Sequence, residues 1–379
     1  MRRHQHVRKD ERGFAFVFVG LGFIAFLAAT TLAIDVGMFM TARTQAQTSA
    51  DAGALAGAVA LVVNDFNNRS SSGPAVQSGI NGALANNVIG SPVSVLPGDV
   101  TFPNDPSGQP TRVQVSVFRT AERANAVPTL MGVLFGVPTV NITATATAEA
   151  SPANAETCVM PWTIPDKWID NQSPPWDPAD TFTMYDKKGN VVANPDVYIP
   201  GTTGYDPVTD RGLELILKAS NDTKVSPSFY NPWDLPGSTG ASDYENNVAT
   251  CNPNKVDIGQ PMTAEPGNMV GPTAQGLAAR IAQDQGAQWS QDCNCVVGSA
   301  FGVSPRVVIV PLYDPQYYAE GVANGRNASL KVANYLGFFV EEMQGNDVVG
   351  RITPVGGIID PNGPPAPANS FAKVIRLVQ

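Results

Sequence analysis

Histidine is almost missing from this 379-residue sequence, and the two present, His4 and His6, lie at its very start. Beyond them no Ser-His, Cys-His or histidine-metal arrangement can be built, which removes the commonest hydrolase and zinc-enzyme designs. Charge is scarce as well: charged residues make up 15 % of the chain, with a net −9. A Gly-Lys-Ser/Thr phosphate loop is also lacking. The Gly/Pro-rich stretch from Gly259 to Gly276 leads towards a helix but has neither that signature nor GxGxxG spacing. Asp206 and Asp210 precede Gly212 at a spacing that departs from a calcium loop. No metal and no cofactor is therefore expected. Carboxylates are plentiful, yet nothing singles out an acid pair of the kind glycoside hydrolysis needs, so no enzyme is expected.

What charge there is lies unevenly. Arg2, Arg3, Arg8, Lys9 and Arg12 against Asp10 and Glu11 put +3 ahead of Gly13, which leaves −12 for the remainder. A body so acidic repels phosphate backbones, and nucleic acid is excluded as a partner. The 35 Gly and 32 Pro favour turn-rich β structure, while 43 % apolar residues suffice for a core. The length allows more than one folded unit.

From Gly13 to Ile34 the chain reads GFAFVFVGLGFIAFLAATTLAI, without a charge. About 20 helical residues cross roughly 30 Å of hydrocarbon, so this run is read as a transmembrane helix. The basic cluster before it and Asp35 after it place the N-terminus in the cytoplasm by the positive-inside rule. The competing reading is a cleaved signal peptide, with Thr31-Leu32-Ala33 as its small-residue pattern. An apolar core of about 7 to 15 residues is usual there, and the longer run favours retention.

No proline occurs before Pro74, and the chain stays rich in Ala after Asp35. The helix is therefore expected to leave the bilayer unbroken and reach about Val63. Along it Ala46, Ala50, Ala54, Gly57 and Ala58 recur at three- and four-residue spacing, which permits close backbone approach. Two uses fit: packing within the chain, or self-association with like helices.

Arg12-Gly13, the apolar run, Ala33-Ile34-Asp35-Val36-Gly37, and Ala50-Asp51-Ala52-Gly53-Ala54-Leu55-Ala56-Gly57-Ala58 together resemble the N-terminal module of TadE/TadG-like Flp pilus-assembly proteins. Arg12, Gly13, Asp35, Gly37, Ala50, Asp51, Ala54, Leu55 and Ala56 carry that likeness, which covers about residues 10 to 62. A weaker one follows from Arg112 to Ala150, where a strand, an amphipathic turn and an Ala/Thr-rich strand are similar to the membrane-proximal domain of TadG-like proteins. Pseudopilins processed by a prepilin peptidase carry a Glu about five residues beyond the cut, where this chain has apolar Phe18 and Val19. The resemblance thus implies an assembly or anchoring factor instead of a fibre subunit, with other pilus-assembly or envelope proteins as partners.

The fold expected is α+β. A cytoplasmic basic tail (1–12) and a transmembrane helix (13–35) lead into a membrane-proximal helix-on-antiparallel-sheet domain (36–150). A turn-rich, mostly-β distal domain (151–379) follows. In the first domain the alternation of Val113, Val115 and Val117 marks a half-buried strand. In the distal one, strands are read at Val307 to Leu312, Tyr335 to Glu341, Val348 to Ile352 and Lys373 to Val378. Helices are read at Leu213 to Ala219 and at Gln275 to Gln285, the latter capped by Thr273.

Cys158, Cys251, Cys293 and Cys295 are an even number in a compartment expected to be oxidising. Cys293-Asn294-Cys295 is too short to close on itself in extended chain, so each of the pair is expected to join Cys158 or Cys251, in an open order. A redox-active CxC is the competing reading. Pro161-Trp162, Pro174-Pro175-Trp176 and Pro232-Trp233 either stack on sugars or pack beneath loops. The function these features imply is a non-catalytic scaffold of the cytoplasmic membrane, working through protein contacts. The alternative is an anchored adhesin or glycan-binding protein.

Overall fold

The computed structural model describes residues 12–63, 68–106, 108–220, 224–323, 330–367 and 370–378. The basic tail, apart from Arg12, lies outside the described residues. The fold is α+β in two compact units. One comprises residues 1–58, 69–149 and 377–379, the other residues 59–68 and 150–376.

In the first unit, helix α1 (Arg12–Val63) runs 52 residues without a break, as a chain free of proline and rich in Ala allows. Its residues Ala15–Val62 form a helix long and apolar enough to cross a membrane. From Phe16 to Leu32 its large side chains stand exposed. Beyond Asp35 the character changes: Ala42, Ala46, Ser49, Ala50, Ala54 and Ala58 are fully buried or nearly so. Their spacing of three and four residues draws one stripe along the helix.

That stripe is covered by helix α2 (Pro74–Leu84) and by a small antiparallel sheet. Strand β1 (Val100–Thr101) pairs with β2 (Arg112–Arg119). A short β3 (Val127–Pro128) pairs with β4 (Thr139–Val140), and β2 pairs with β5 (Ile142–Pro152) from Arg112↔Glu149 to Arg119↔Ile142. Val113, Val115 and Val117 face inward at 0 % exposure, opposite Ala148, Ala146 and Ala144. The alternation seen in the sequence is thus the sheet's inner face.

The second unit is built around a sheet that closes on itself. Strand β6 (Trp162–Pro165) pairs with β8 (Phe229–Pro232), β8 with β7 (Glu214–Ala219), and β7 with β11 (Asp347–Thr353). The 15-residue β10 (Leu330–Gln344) completes the ring, since it pairs with β9 (Val307–Tyr313) along one half and with β11 along the other. A parallel pairing of β9 with β6 shuts the barrel. Val308, Val310, Leu312, Leu336, Phe338 and Val340 alternate into its core, with Trp162, Leu215 and Leu217. Helices α3 (Gly240–Ala249) and α4 (Val270–Gln283) contribute Tyr244, Val248 and Leu277 to the same cluster. A further helix, α5 (Pro315–Ala323), follows β9, and the last strand is β12 (Lys373–Val378).

Three expectations are corrected. Leu213 to Ala219 is strand β7, not a helix: Leu215 and Leu217 point inward while Glu214, Ile216 and Lys218 alternate outward or to the rim. Strand pairing on both sides overrides the helix preference of a Leu-rich segment. Thr273 does not cap α4 but lies buried inside it, its hydroxyl 3.0 Å from that of Tyr244 and 3.3 Å from that of Tyr230. The helix begins ahead of Pro272, because a first-turn N–H has no helical partner to lose.

The cysteine pairing also differs from expectation. Cys158 bonds Cys251, and Cys293 bonds Cys295 with Cα atoms 5.2 Å apart. Extended chain would forbid the second bridge, but Asn294 takes the left-handed conformation at φ 52° and turns the backbone between the two sulfurs. The Asn294 side-chain Nδ2 donates to the Arg211 backbone carbonyl, and the Asn294 backbone carbonyl accepts from Arg211 Nε, which holds that turn in place.

Candidate functional site

The residues that carried the sequence resemblance separate into a polar clamp and a packing face. The clamp is Asp35. Although it follows the apolar run directly, its side chain is only 5 % exposed. Its Oδ1 accepts the Leu130 N–H at 2.9 Å, and its Oδ2 accepts those of Met131 at 3.1 Å and Gly132 at 2.7 Å. One carboxylate thus satisfies three consecutive backbone donors of the β3–β4 loop. Such charge-assisted bonds are among the stronger ones a fold can make. The loop is tightened from within as well: Thr129 Oγ1 donates to the Val137 carbonyl at 2.7 Å, and Val137 N–H to the Gly132 carbonyl at 2.9 Å. A Cβ on Gly132 would lie 2.7 Å from the Val137 carbonyl oxygen, so only glycine fits between clamp and loop.

The packing face is the small-residue stripe. A Cβ on Gly53 would lie 2.8 Å from the Gly79 carbonyl oxygen of α2, and one on Gly57 2.8 Å from Val113 of β2. Ala56 lies against Gly82, and the buried Ser49 hydroxyl donates to the Ala83 carbonyl at 2.8 Å. Ala50 and Ala54 sit at 0 % exposure beneath this contact. The face is therefore occupied within the chain. Asp51 accepts from Gln47 Nε2 at 2.8 Å along the helix. Leu55 and Ala56 are half-buried, Gly37 is exposed with open space around it, and Arg12 and Gly13 form the first turn of α1.

Against this geometry, residues 13–60 match the Tad family, described as Flp pilus-assembly TadE/G-like. The N-terminal module is TadE/G-like. No curated protein and no solved structure matches the chain. The match ends within α1, so the clamp's target loop, α2 and the sheet of the first unit all lie beyond it. What the TadE/G-like signature supplies is one helix whose Asp grips a loop and whose small residues seat a sheet.

Sequence reasoning missed the partners of these residues, and it missed Arg119. That guanidinium is buried and donates to the carbonyls of Asn125 at 2.7 Å and Ser91 at 3.1 Å, which ties two turns of the first unit together. Burial lowers its pKa from the usual arginine value. An Arg at the end of an alternating strand was visible, but nothing in the sequence said its head turns inward.

The second unit buries several acids. Burial pushes Glu156 up to about 8, and its Oε1 has no hydrogen-bond partner. Burial likewise raises Asp166 to about 7, against the Tyr198 hydroxyl at 3.0 Å and the backbone N–H groups of Tyr205 and Lys167. Burial first, and the Asp234 carboxyl second, raise Glu265 to about 7. These three do not line the clefts of this unit around Lys331 and around Tyr185, which hold one carboxylate each, Asp314 and Asp186.

Asp206 and Asp210 are engaged locally: Asp206 accepts the Val208 and Thr209 N–H groups, and Asp210 pairs with Lys167 at 2.6 Å. Among the described residues no group of three or more His, Cys, Asp or Glu is arranged to hold a metal ion. Trp162, Trp168 and Trp233 are at most 3 % exposed, and Trp176 and Trp289 are half-buried. Trp168 and Trp176 meet edge to face at 6.0 Å, so the Trp-Pro segments build core beneath loops instead of offering ring faces to a sugar.

Proposed function

We propose that this chain is an anchored assembly or scaffold protein of an Flp pilus system. In this reading α1 crosses the cytoplasmic membrane once, the N-terminus lies in the cytoplasm, and the rest of the chain is exported. It acts through protein contacts and not by catalysis. The proposed domains are the basic tail (1–12), the membrane span (13–35), a membrane-proximal domain (36–150) and a distal domain (151–379).

The observation that carries the reading is the TadE/G-like helix itself. Its first half exposes a sleeve of Phe, Leu, Ile and Val, and its second half is the structural spine of a folded unit. An apolar sleeve of that length is tolerable only in lipid or under a partner. A helix continuous across both halves would transmit the orientation of the anchor to the folded unit. The two disulfides and the acidic body support an oxidising compartment outside the cytoplasm. Missing exported histidine, and clefts that hold a single carboxylate each, support a non-catalytic role.

The deciding experiment deletes the gene and counts surface Flp fibres by electron microscopy. Loss of fibres, restored by the full chain but not by a chain lacking residues 13–35, is the result expected. Undiminished fibres in the deletion strain would overturn the proposal.

A further inference from the structure

The β3–β4 loop has an unusual combination of properties. From Ala124 to Ala148 the sequence contains no charged residue. At the tip of that stretch Leu130, Val133, Phe135 and Val137 are 57 %, 54 %, 69 % and 49 % exposed. Loops that face water rarely present four large apolar side chains together. This one is not loose either. Its N–H groups at 130, 131 and 132 are bound by Asp35, those at 136 and 137 by the carbonyls of Val133 and Gly132, and that of Thr129 by the Pro138 carbonyl. Six backbone donors are thus satisfied inside the loop and its clamp, while apolar side chains stand exposed. A loop that enters a medium poor in water needs its backbone donors bound in this way, and here a 3-10 turn at Gly132–Phe135 lies within it.

Its position settles what it meets. The clamp is the residue directly after the apolar run, so the loop is fastened at the level where α1 leaves the hydrocarbon. Around that level the helix still presents Leu32, Ile34, Val36 and Met40 outward. The next charge along α1 is Arg43, about 12 Å further on, which suits the headgroup zone. The exposed apolar surface of the loop therefore continues that of the helix.

We propose that residues 129–138 form a second membrane contact. The loop inserts Leu130, Val133, Phe135 and Val137 into the boundary between acyl chains and headgroups, in the leaflet from which α1 emerges, and so fixes the first unit against the bilayer. Asp35 is the positioning residue that holds the loop at this depth. The inference rests on the reading of α1 as a membrane anchor. It assigns to the loop a lipid partner that the family match, which ends at residue 60, does not cover.

All cysteines among the described residues are in disulfides, so an introduced cysteine takes a maleimide fluorophore selectively without reduction. Three full-length variants are compared after reconstitution, without other proteins, into vesicles of phosphatidylethanolamine and phosphatidylglycerol. They are Phe135→Cys at the loop tip, Phe23→Cys in the span, and Gln77→Cys on α2. Gln77 is exposed next to Ala75, which packs against Gly57, about 33 Å along α1 from Asp35. The expected result is blue-shifted emission, and loss of fluorescence to a lipid-borne quencher, at Phe23 and Phe135 but not at Gln77. Asp35→Asn should reduce the quenching at Phe135 and leave that at Phe23 unchanged. Quenching at Phe23 with a water-like probe at Phe135 would overturn the inference alone. A water-like probe at both would overturn the anchor reading and the inference with it.

Discussion

Asp35 accepts the N–H groups of Leu130, Met131 and Gly132 through one carboxylate. Replacing it with Ala leaves three adjacent N–H groups without an acceptor, and each such loss costs about 1–3 kcal/mol where water cannot substitute. The partly open loop recovers some of this, so Asp35→Ala should destabilise the first unit by about 2–3 kcal/mol. Hydrogen exchange should accelerate at residues 130–132 in that variant before the rest of the unit opens; unchanged exchange there would show that the carboxylate is not the clamp. Glu156 gives the opposite kind of test. Its folded-state pKa, about 8, lies above the ordinary 4.5, so the folded chain binds its proton more tightly than the unfolded chain. The stability this gives is full below about pH 4.5 and is lost as pH rises through about 8. Glu156→Gln should therefore raise the thermal midpoint of the second unit by a few degrees at pH 8.5 and change it little at pH 4.5. An equal effect at both would refute burial of an ionisable acid there.

At the scale of elements, the contact of α1 with α2 and the sheet depends on missing side chains. Gly53→Leu or Gly57→Leu forces atoms into Gly79, Ala83 or Val113, and overpacking of this kind costs about 1–3 kcal/mol or more. Gly37→Ala is the control, since its surroundings are open and a helix gains about 0.5–1 kcal/mol from that change. Urea titrations in detergent should place the two effects on opposite sides of the parent. Reading the elements from sequence succeeded where the period was strong. The proline-free, Ala-rich run gave α1, and Val113, Val115 and Val117 gave β2. It failed where neighbours chose the conformation. Leu213 to Ala219 reads equally well as helix, and it became strand because β8 and β11 flank it. Helix α3 was invisible because only Tyr244, Asn247 and Val248 of its ten residues are buried, too few to draw a stripe.

For the whole molecule, the disulfides should act unequally. On the chain-entropy view the Cys158–Cys251 bridge, whose ends are 93 positions apart, contributes about 4–5 kcal/mol, and the Cys293–Cys295 bridge under about 2 kcal/mol. Calorimetry of Cys158→Ser/Cys251→Ser should therefore show a far larger drop in midpoint than Cys293→Ser/Cys295→Ser; equal drops would mean the loop-length account is wrong. The stability of the second unit should also have a minimum near pH 8. Asp166, Glu265 and Glu156 all lose stabilising protons on the way up to it. Above it the trend reverses, because burial lowers Lys373 to about 8 from 10.5, and the folded state sheds that proton before the unfolded one does.

The sequence by itself determined the features that depend on neighbours along the chain. Hydropathy over a proline-free run sets the long apolar helix, small residues every third or fourth place set a close-packed helix face, and strict alternation sets the inner face of the sheet. Only the tertiary structure decided what each of these meets. That Asp35 binds residues about a hundred positions later, that Asn294 bends so Cys293 and Cys295 close on each other, and that Glu156 loses its water are results of long-range packing. Their energies come from contacts between segments that no local pattern records.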